Sequence, residues 1–441
     1  METELEFIFN GEKQVLQVLE NGGLLVEFLG RPDNTICPLI GTEIVSLKIL
    51  GAGAVGKAYL VKSDVNGQRL FVMKEAKLDI QKTTLQKGVS LKQFANLLDR
   101  SYQIPVEITE WVNNYKIPST RIAIIPEYAI RCRTSSVEVV ESFDGEGSTV
   151  IPVGSYLCIN EMFSEFAISS ICGQLYSRGI SVNFIEMYNF AVCQPIKPSS
   201  FTFMELTNGE VASSKETNIL KDPRVKNGHL VDVFVVQVLH AIATYQKHYM
   251  ISHNDLHLQN VFYSKIDPET MFNGQTLDDA DYFHYSVRSE SGKVVNLYLP
   301  AIPYIAKIGD FGKSFKWSQP MVGESYLINN GYNSEGAPWM PNWYIPQYDS
   351  SYFLNCMSRD GLIETDEIFS ILGIPRGLFR PDNGRPIFSE PDEKANYEYY
   401  SDIILQNYPQ LSAISLLTNE DIFGEYMEVP KNGKIVTLGE I

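Results

Sequence analysis

Cysteine is sparse in this chain: 6 in 441 residues, at Cys37, Cys132, Cys158, Cys172, Cys193 and Cys356, with no Cys-x-x-Cys pair. That scatter excludes a zinc ribbon or a small disulfide scaffold, and it predicts reduced thiols in a cytosol-like compartment. Long hydrophobic runs are missing too. The most apolar stretch, Val231 to Tyr245, is interrupted by Asp232, Gln237 and His240, so no membrane span is expected. Met1-Glu2-Thr3-Glu4 lacks the basic-then-apolar order of a secretory leader. Basic charge is in short supply: 36 Lys and Arg against 53 Asp and Glu leave a net charge of -17. A surface this negative disfavours nucleic acid and anionic membranes as partners. A cytoplasmic protein is the resulting expectation.

The apolar share, 44%, is ordinary for a globular chain, enough to build a sizeable core. The length suggests two or three structural units. Ile44 to Leu50, Ala58 to Val61 and Leu70 to Lys74 read as strands, the last two joined by an Asn66-Gly67 hairpin turn. Residues 77–150 fit no simple continuation and read as an insertion. Met162, Phe163, Phe166, Ile171 and Leu175 recur at helical spacing, so a helix is predicted from Glu161 to Tyr176. Phe201 to Leu206 reads as a buried strand entering a connector, Thr207 to Gly228 as a polar linker, and Val231 to Tyr245 as a very apolar helix. A second insertion is expected at about 267–291.

Three motifs carry chemistry. Gly51-Ala52-Gly53-Ala54-Val55-Gly56 follows a strand, and glycines there let backbone amides approach phosphates without a Cβ clash. The same letters fit a dinucleotide-binding fingerprint, and Glu75 sits about 20 residues on, where a ribose-binding carboxylate belongs. That reading needs a helix from Lys57 onward, yet Ala58 to Val61 reads as a strand. Next, His253-Asn254-Asp255-Leu256-His257-Leu258-Gln259-Asn260 is followed downstream by Ile308-Gly309-Asp310-Phe311-Gly312. Phosphoryl transfer needs a carboxylate to hold the acceptor hydroxyl and further oxygens to hold a divalent cation on the nucleotide. Asp255 fits the first task, and Asn260 and Asp310 fit the second.

The ordered combination of Gly-x-Gly-x-x-Gly, Met73-Lys74, His-Asn-Asp-Leu-His with Asn260, and Asp-Phe-Gly resembles the eukaryotic-type protein kinase superfamily. The likeness runs from Ile44 to about Asp349, outside the two insertions. It implies an α+β, two-lobed protein-kinase-like fold with a β-rich N-lobe and a mainly helical C-lobe. The implied segments are an extension at 1–42, an N-lobe at 43–206 and a C-lobe at 207–441. It further implies ATP and Mg²⁺ as cofactors, with Gly51, Gly53, Val55, Gly56 and Ala58 over the nucleotide. Lys74 would contact its phosphates, held by Glu165 with Glu161 as the fallback. Met204 would border the adenine pocket, and Glu205, Leu206 and Thr207 would form the connector. Asp255 would be the base, His257 a donor to the γ-phosphate, Asn260 and Asp310 the metal ligands, His253 a packed structural histidine, and Asp349 a brace for the catalytic loop. Long insertions and an unusual activation segment resemble the divergent kinases of large nucleocytoplasmic DNA viruses, which places the chain in host cytoplasm or a virion.

Three positions depart from the family pattern. Asn254 stands where an arginine usually pairs with an activation-segment phosphate. His257 replaces a lysine, as in haspin-like protein kinases and in small-molecule kinases related to aminoglycoside phosphotransferases. Ala337-Pro338-Trp339 replaces Ala-Pro-Glu. The function implied is phosphoryl transfer to a protein Ser or Thr. The alternatives are a small-molecule kinase of the aminoglycoside or choline type, a catalytically silent pseudokinase scaffold, and the dinucleotide oxidoreductase.

Overall fold

The structure, a computed structural model, describes residues 3–9, 12–18, 24–25, 37–52, 56–63, 69–77, 131–133, 138–141, 148–151, 156–158, 161–193, 199–210, 230–317, 326–328, 344–359, 365–374 and 407–441. The chain is mixed α/β and divides into two compact units. One comprises 1–170, 187–206 and 312–332, the other 171–186, 207–311 and 333–441.

The first unit is built on a five-stranded antiparallel sheet. Its strands are β1 (Ile44–Ala52), β2 (Gly56–Ser63), β3 (Arg69–Lys77), β4 (Met187–Cys193) and β5 (Ser199–Met204), in spatial order β4-β5-β3-β2-β1. Alternation in β2 and β3 sends successive side chains to opposite faces. Val61, Met73, Phe201 and Phe203 go to one face and form a buried cluster with Ile44, onto which Tyr59, Phe71, Leu39 and Ile40 pack. The strand following the glycine turn rules out the helix that a dinucleotide fold would need there. Of the expected insertion, Arg131–Arg133 pairs with Tyr156–Cys158 and Glu138–Glu141 with Ser148–Ile151; residues 78–130 lie outside the described residues.

Helix α1 (Glu161–Ser177) ends in a left-handed turn, where Gly179 has φ +68° and the Ile180 N–H reaches back to the Leu175 carbonyl. Glycine tolerates that conformation with no Cβ penalty.

Helix α2 (Leu230–Tyr249) is the centre of the second unit. Every residue from Val233 to Gln246 is buried, the polar Gln237, His240, Thr244 and Gln246 included, as befits a central helix covered on all sides. Around it lie β6 (Val261–Lys265), β7 (Tyr282–Arg288), β8 (Val294–Pro300), β9 (Tyr304–Ile308), α3 (Pro346–Arg359) and β10 (Ile435–Glu440). β6 pairs with β9 antiparallel. β7 lies between β8, antiparallel, and β10, parallel. The unit therefore carries more β structure than the helical expectation for this half of the chain. The reason is a hairpin that begins inside the second insertion and runs beyond its expected end near 291: Tyr282 to Arg288 and Val294 to Pro300 alternate buried and partly exposed residues with period two, the signature of a half-covered sheet rather than a helix. A separate cluster of Ile345, Tyr348, Phe369, Ile374 and Leu411 closes the α3 side.

Cys172 and Cys356 are free and buried, but Cys37 is disulfide-bonded, which corrects the expectation of reduced thiols throughout. Scattered spacing does not reveal which cysteines the fold brings together. Among the described residues, no helix is long and apolar enough to cross a membrane.

β10 passes directly over the α2 residue His240. A Cβ on Gly439 would stand 2.3 Å from the His240 ring, which is itself packed on the Tyr285 ring at 4.7 Å. Gly439→Ala is expected to cost about 1–3 kcal/mol through overpacking, read as a lower denaturation midpoint in urea. Burial also pulls the His240 imidazole down from 6.5 to about 3. The folded chain therefore keeps His240 neutral where the unfolded chain has bound a proton. Stability falls as pH drops from about 6.5 towards 3, by up to roughly 5 kcal/mol from this group. Unfolding free energies measured from pH 7 to pH 4 are expected to slope less steeply in His240→Leu.

Candidate active site

Cross-strand register sets one face of the first unit's sheet. Ala58, Lys74 and Thr202 lie opposite one another across β2, β3 and β5; Leu60, Val72 and Met204 form the next row. This face is the reverse of the buried cluster, and Ala58, Leu60, Val72 and Met204 are only partly covered. Lys74 Nζ donates to Glu165 Oε1 on α1 at 2.5 Å, with the glutamate nearly buried. Two charges held in this way fix the lysine's height above the sheet. Gly51 faces Ala58 at the end of β1. Gly56 opens β2 so close to β3 that a Cβ there would stand 2.1 Å from the Glu75 carbonyl oxygen. Glu205 and Leu206 continue from β5 as a partly buried, non-strand connector, and Thr207 follows them. Gly53, Val55 and the side chain of Glu161 lie outside what the structure describes, as do Ala337, Pro338 and Trp339.

In the second unit, the loop after α2 hangs on one buried carboxylate. Asp349, in the first turn of α3, accepts the His253 N–H on Oδ2 at 2.9 Å and the Asn254 N–H on Oδ1 at 2.9 Å; Oδ2 also accepts the Tyr245 hydroxyl at 2.8 Å. Burial pushes the Asp349 carboxyl up from the ordinary range, while His253, the two amides and the hydroxyl pull the other way. Tyr245 is pushed well up, mainly by burial and then by the neighbouring carboxylate. Asn254 takes φ +63°, a left-handed conformation that asparagine tolerates better than most residues. The bend leaves Asp255 partly exposed at the loop's crest.

His253 is fully buried: its Nε2 meets the Gly309 carbonyl at 3.0 Å and its ring lies 4.8 Å from that of Phe311. Asn260 Nδ2 donates to the Asp255 carbonyl at 2.8 Å, and the Asn260 carbonyl accepts the Gly309 N–H at 3.2 Å. The β6–β9 register, Val261 opposite Ile308, continues into that contact and sets Asn260 beside Gly309 and Asp310. Asp310 is exposed, with φ +57°. His257 Nε2 stands 3.7 Å from Asp255 Oδ2.

Asp255, His257, Asn260 and Asp310 thus converge on one end of the β6–β9 ladder. Among the described residues, no group of three or more His, Cys, Asp or Glu could hold a metal ion. The donor set does fit magnesium, which keeps waters and takes only one or two protein oxygens beside phosphate. Asn260 has committed its Nδ2 to a backbone carbonyl, leaving Oδ1 as its hard oxygen, and Asp310 presents its carboxylate at the surface. Sequence reasoning did not single out Val72 or Thr202, although period-two alternation from Lys74 and Met204 leads to both. It had no means of finding Tyr245, since a tyrosine in an apolar helix reads as core.

No protein-family model matches the chain, and no curated protein matches it.

Asp349→Ala strands two backbone N–H groups and a hydroxyl in the interior. It is expected to destabilise the fold by about 3–5 kcal/mol, against about 1 kcal/mol for Tyr245→Phe, which loses one hydrogen bond. Both values are readable by chemical denaturation.

Proposed function

We propose that this chain is an ATP-dependent phosphotransferase of the two-lobed, eukaryotic-type protein kinase superfamily, acting on Ser or Thr hydroxyls of a protein. The observation that carries the reading is the Asp349 clamp. It holds the loop that presents Asp255, while the β6–β9 ladder sets Asn260 beside Asp310. Residues that share only sequence order have no reason to be gathered so, whereas phosphoryl transfer requires it.

On this reading, the acceptor oxygen attacks the γ-phosphorus of ATP, the bond to the β,γ-bridging oxygen breaks, and ADP leaves. Asp255 orients the hydroxyl and receives its proton. Lys74, steadied by Glu165, grips the nucleotide phosphates, and the partly open face that carries Ala58, Val72 and Met204 offers an apolar surface to the adenine base. His257, beside Asp255, donates to the γ-phosphoryl oxygens when an N–H faces them. Magnesium, held through Asn260 and Asp310, would supply charge neutralisation on the phosphates. Asn254 points to activity that does not depend on a phosphate docking beside the catalytic loop, since its side chain carries no charge and is buried.

The test is transfer from γ-labelled ATP to a protein extract. Label in protein hydroxyls is expected, with Asp255→Ala lowering kcat by about 10²–10⁴-fold while ATP still protects the variant from heat. Label confined to small metabolites would favour the small-molecule kinase, and activity equal to the parent in Asp255→Ala would overturn the mechanism.

A further inference from the structure

Strand β9 leads straight into Gly309 and Asp310, so whatever sets β9 sets the aspartate. On one edge β9 is paired by β6. Along the other edge runs the short stretch Asn183-Phe184-Ile185. Its backbone pairs with Ile308, whose N–H donates to the Asn183 carbonyl at 2.9 Å and whose carbonyl accepts the Ile185 N–H at 3.4 Å. Among the described residues, no strand lies beside Ala306, the next residue on that edge. Two side chains take the strand's place. Its carbonyl accepts Asn183 Nδ2 at 2.7 Å, and its N–H donates to Gln237 Oε1 at 2.6 Å. Asn183 Nδ2 also reaches Gln237 Oε1 at 3.2 Å.

This substitution works in only one orientation of the Asn183 amide. Turned over, Oδ1 would confront the Ala306 carbonyl and Gln237 Oε1, acceptor against acceptor, in a fully buried site. The acceptor-only Ala306 carbonyl sets the working orientation, and the Tyr285 hydroxyl, from the inserted hairpin, satisfies and anchors it by donating to Asn183 Oδ1 at 3.0 Å; the Ser181 hydroxyl adds a longer contact at 3.3 Å. Tyr285 is itself closely packed. It is fully buried on β7 between Leu297 of β8 and Gly439 of β10, with its ring against His240. The path to Asp310 is short and tightly packed: a Cβ on Gly309 would stand 2.5 Å from Ile185 Cδ1 and 3.1 Å from the Phe262 ring. A shift of the Asn183–Ile185 stretch therefore displaces Gly309.

We propose that Tyr285 is a positioning residue for Asp310, acting through the Asn183 amide and the edge of β9 that it holds, so that the insertion works as a part of the active site. The proposal rests on the phosphotransferase reading only for its kinetic consequence. In Tyr285→Phe, which keeps the ring and removes the hydroxyl, amide hydrogen exchange across 304–310 is expected to quicken about tenfold while global unfolding changes little. The Mg²⁺ concentration needed for half-maximal thermal protection by ATP is expected to rise roughly tenfold, as for a lost support behind a metal ligand, with kcat reduced and KM for ATP held. Asn183→Asp keeps the acceptor for Tyr285 but removes the donor to Ala306, and it should show the same pattern. Exchange and Mg²⁺ requirement at parent values in either folded variant would overturn the proposal. Should the parent chain not bind MgATP at all, the phosphotransferase reading fails, and the exchange measurement still decides whether Tyr285 orders β9.

Discussion

A buried carboxylate with both oxygens on consecutive backbone amides fixes a loop more firmly than side-chain packing alone, because it sets direction as well as position. Asp349 does this to His253 and Asn254. Its own place is set by the start of α3, by the Tyr245 hydroxyl and by Gln246, which donates to the Pro346 carbonyl from the same helix as Tyr245. α2 and α3 are thereby joined at the point where the loop departs. The left-handed turn at Asn254 follows, because two amides aimed at one carboxylate leave the chain little other way to continue. Asp255 then emerges at the surface while its neighbours remain inside.

The same device recurs in the rest of the second unit. Side chains stand in for missing backbone partners: Asn260 for the Asp255 carbonyl, His253 for the Gly309 carbonyl, Asn183 and Gln237 for Ala306. Each substitution gives a buried backbone group at the end of a ladder a partner, although Gln237 Nε2 is itself buried without a hydrogen bond. Each also makes the local geometry depend on one residue type. In the first unit the logic is simpler. Alternation along β2, β3 and β5 separates a buried face from a partly open one, and the Lys74–Glu165 pair sits on the open side.

Much of this was legible in the sequence, for identifiable reasons. The strands flanking the glycine turn, the helix from Glu161 and the apolar helix, expected over Val231 to Tyr245 and found over Leu230–Tyr249, are local patterns, and period and apolar content suffice to find them. Lys74 with Glu165, and Asp349 behind the loop, were reached through motif order. What the sequence hid is long-range complementarity. No local pattern says that Tyr285 will meet Asn183, or that the insertion will form a sheet with residues 435–440. The β content of the second unit was missed for that reason, and Cys37 shows the same limit, because a disulfide is a fact about space. Residues 77–150 read as an insertion, and the strands described within it pair with one another or with Tyr156–Cys158.

β10 sits between two partners that are distant from it along the chain. It runs parallel to β7, and on its other side Gly439 bridges Ser181 while the Leu438 carbonyl accepts the Val182 N–H. Closing such contacts requires a long loop entropy to be met before any pairing energy is returned. During synthesis the ribosome releases residues 180–182 and the hairpin well ahead of their common partner. Until that partner emerges, the hairpin edge is an open template for foreign strands. The nascent chain is thus exposed to misassembly over a defined interval, one that a chaperone binding extended apolar segments would shorten.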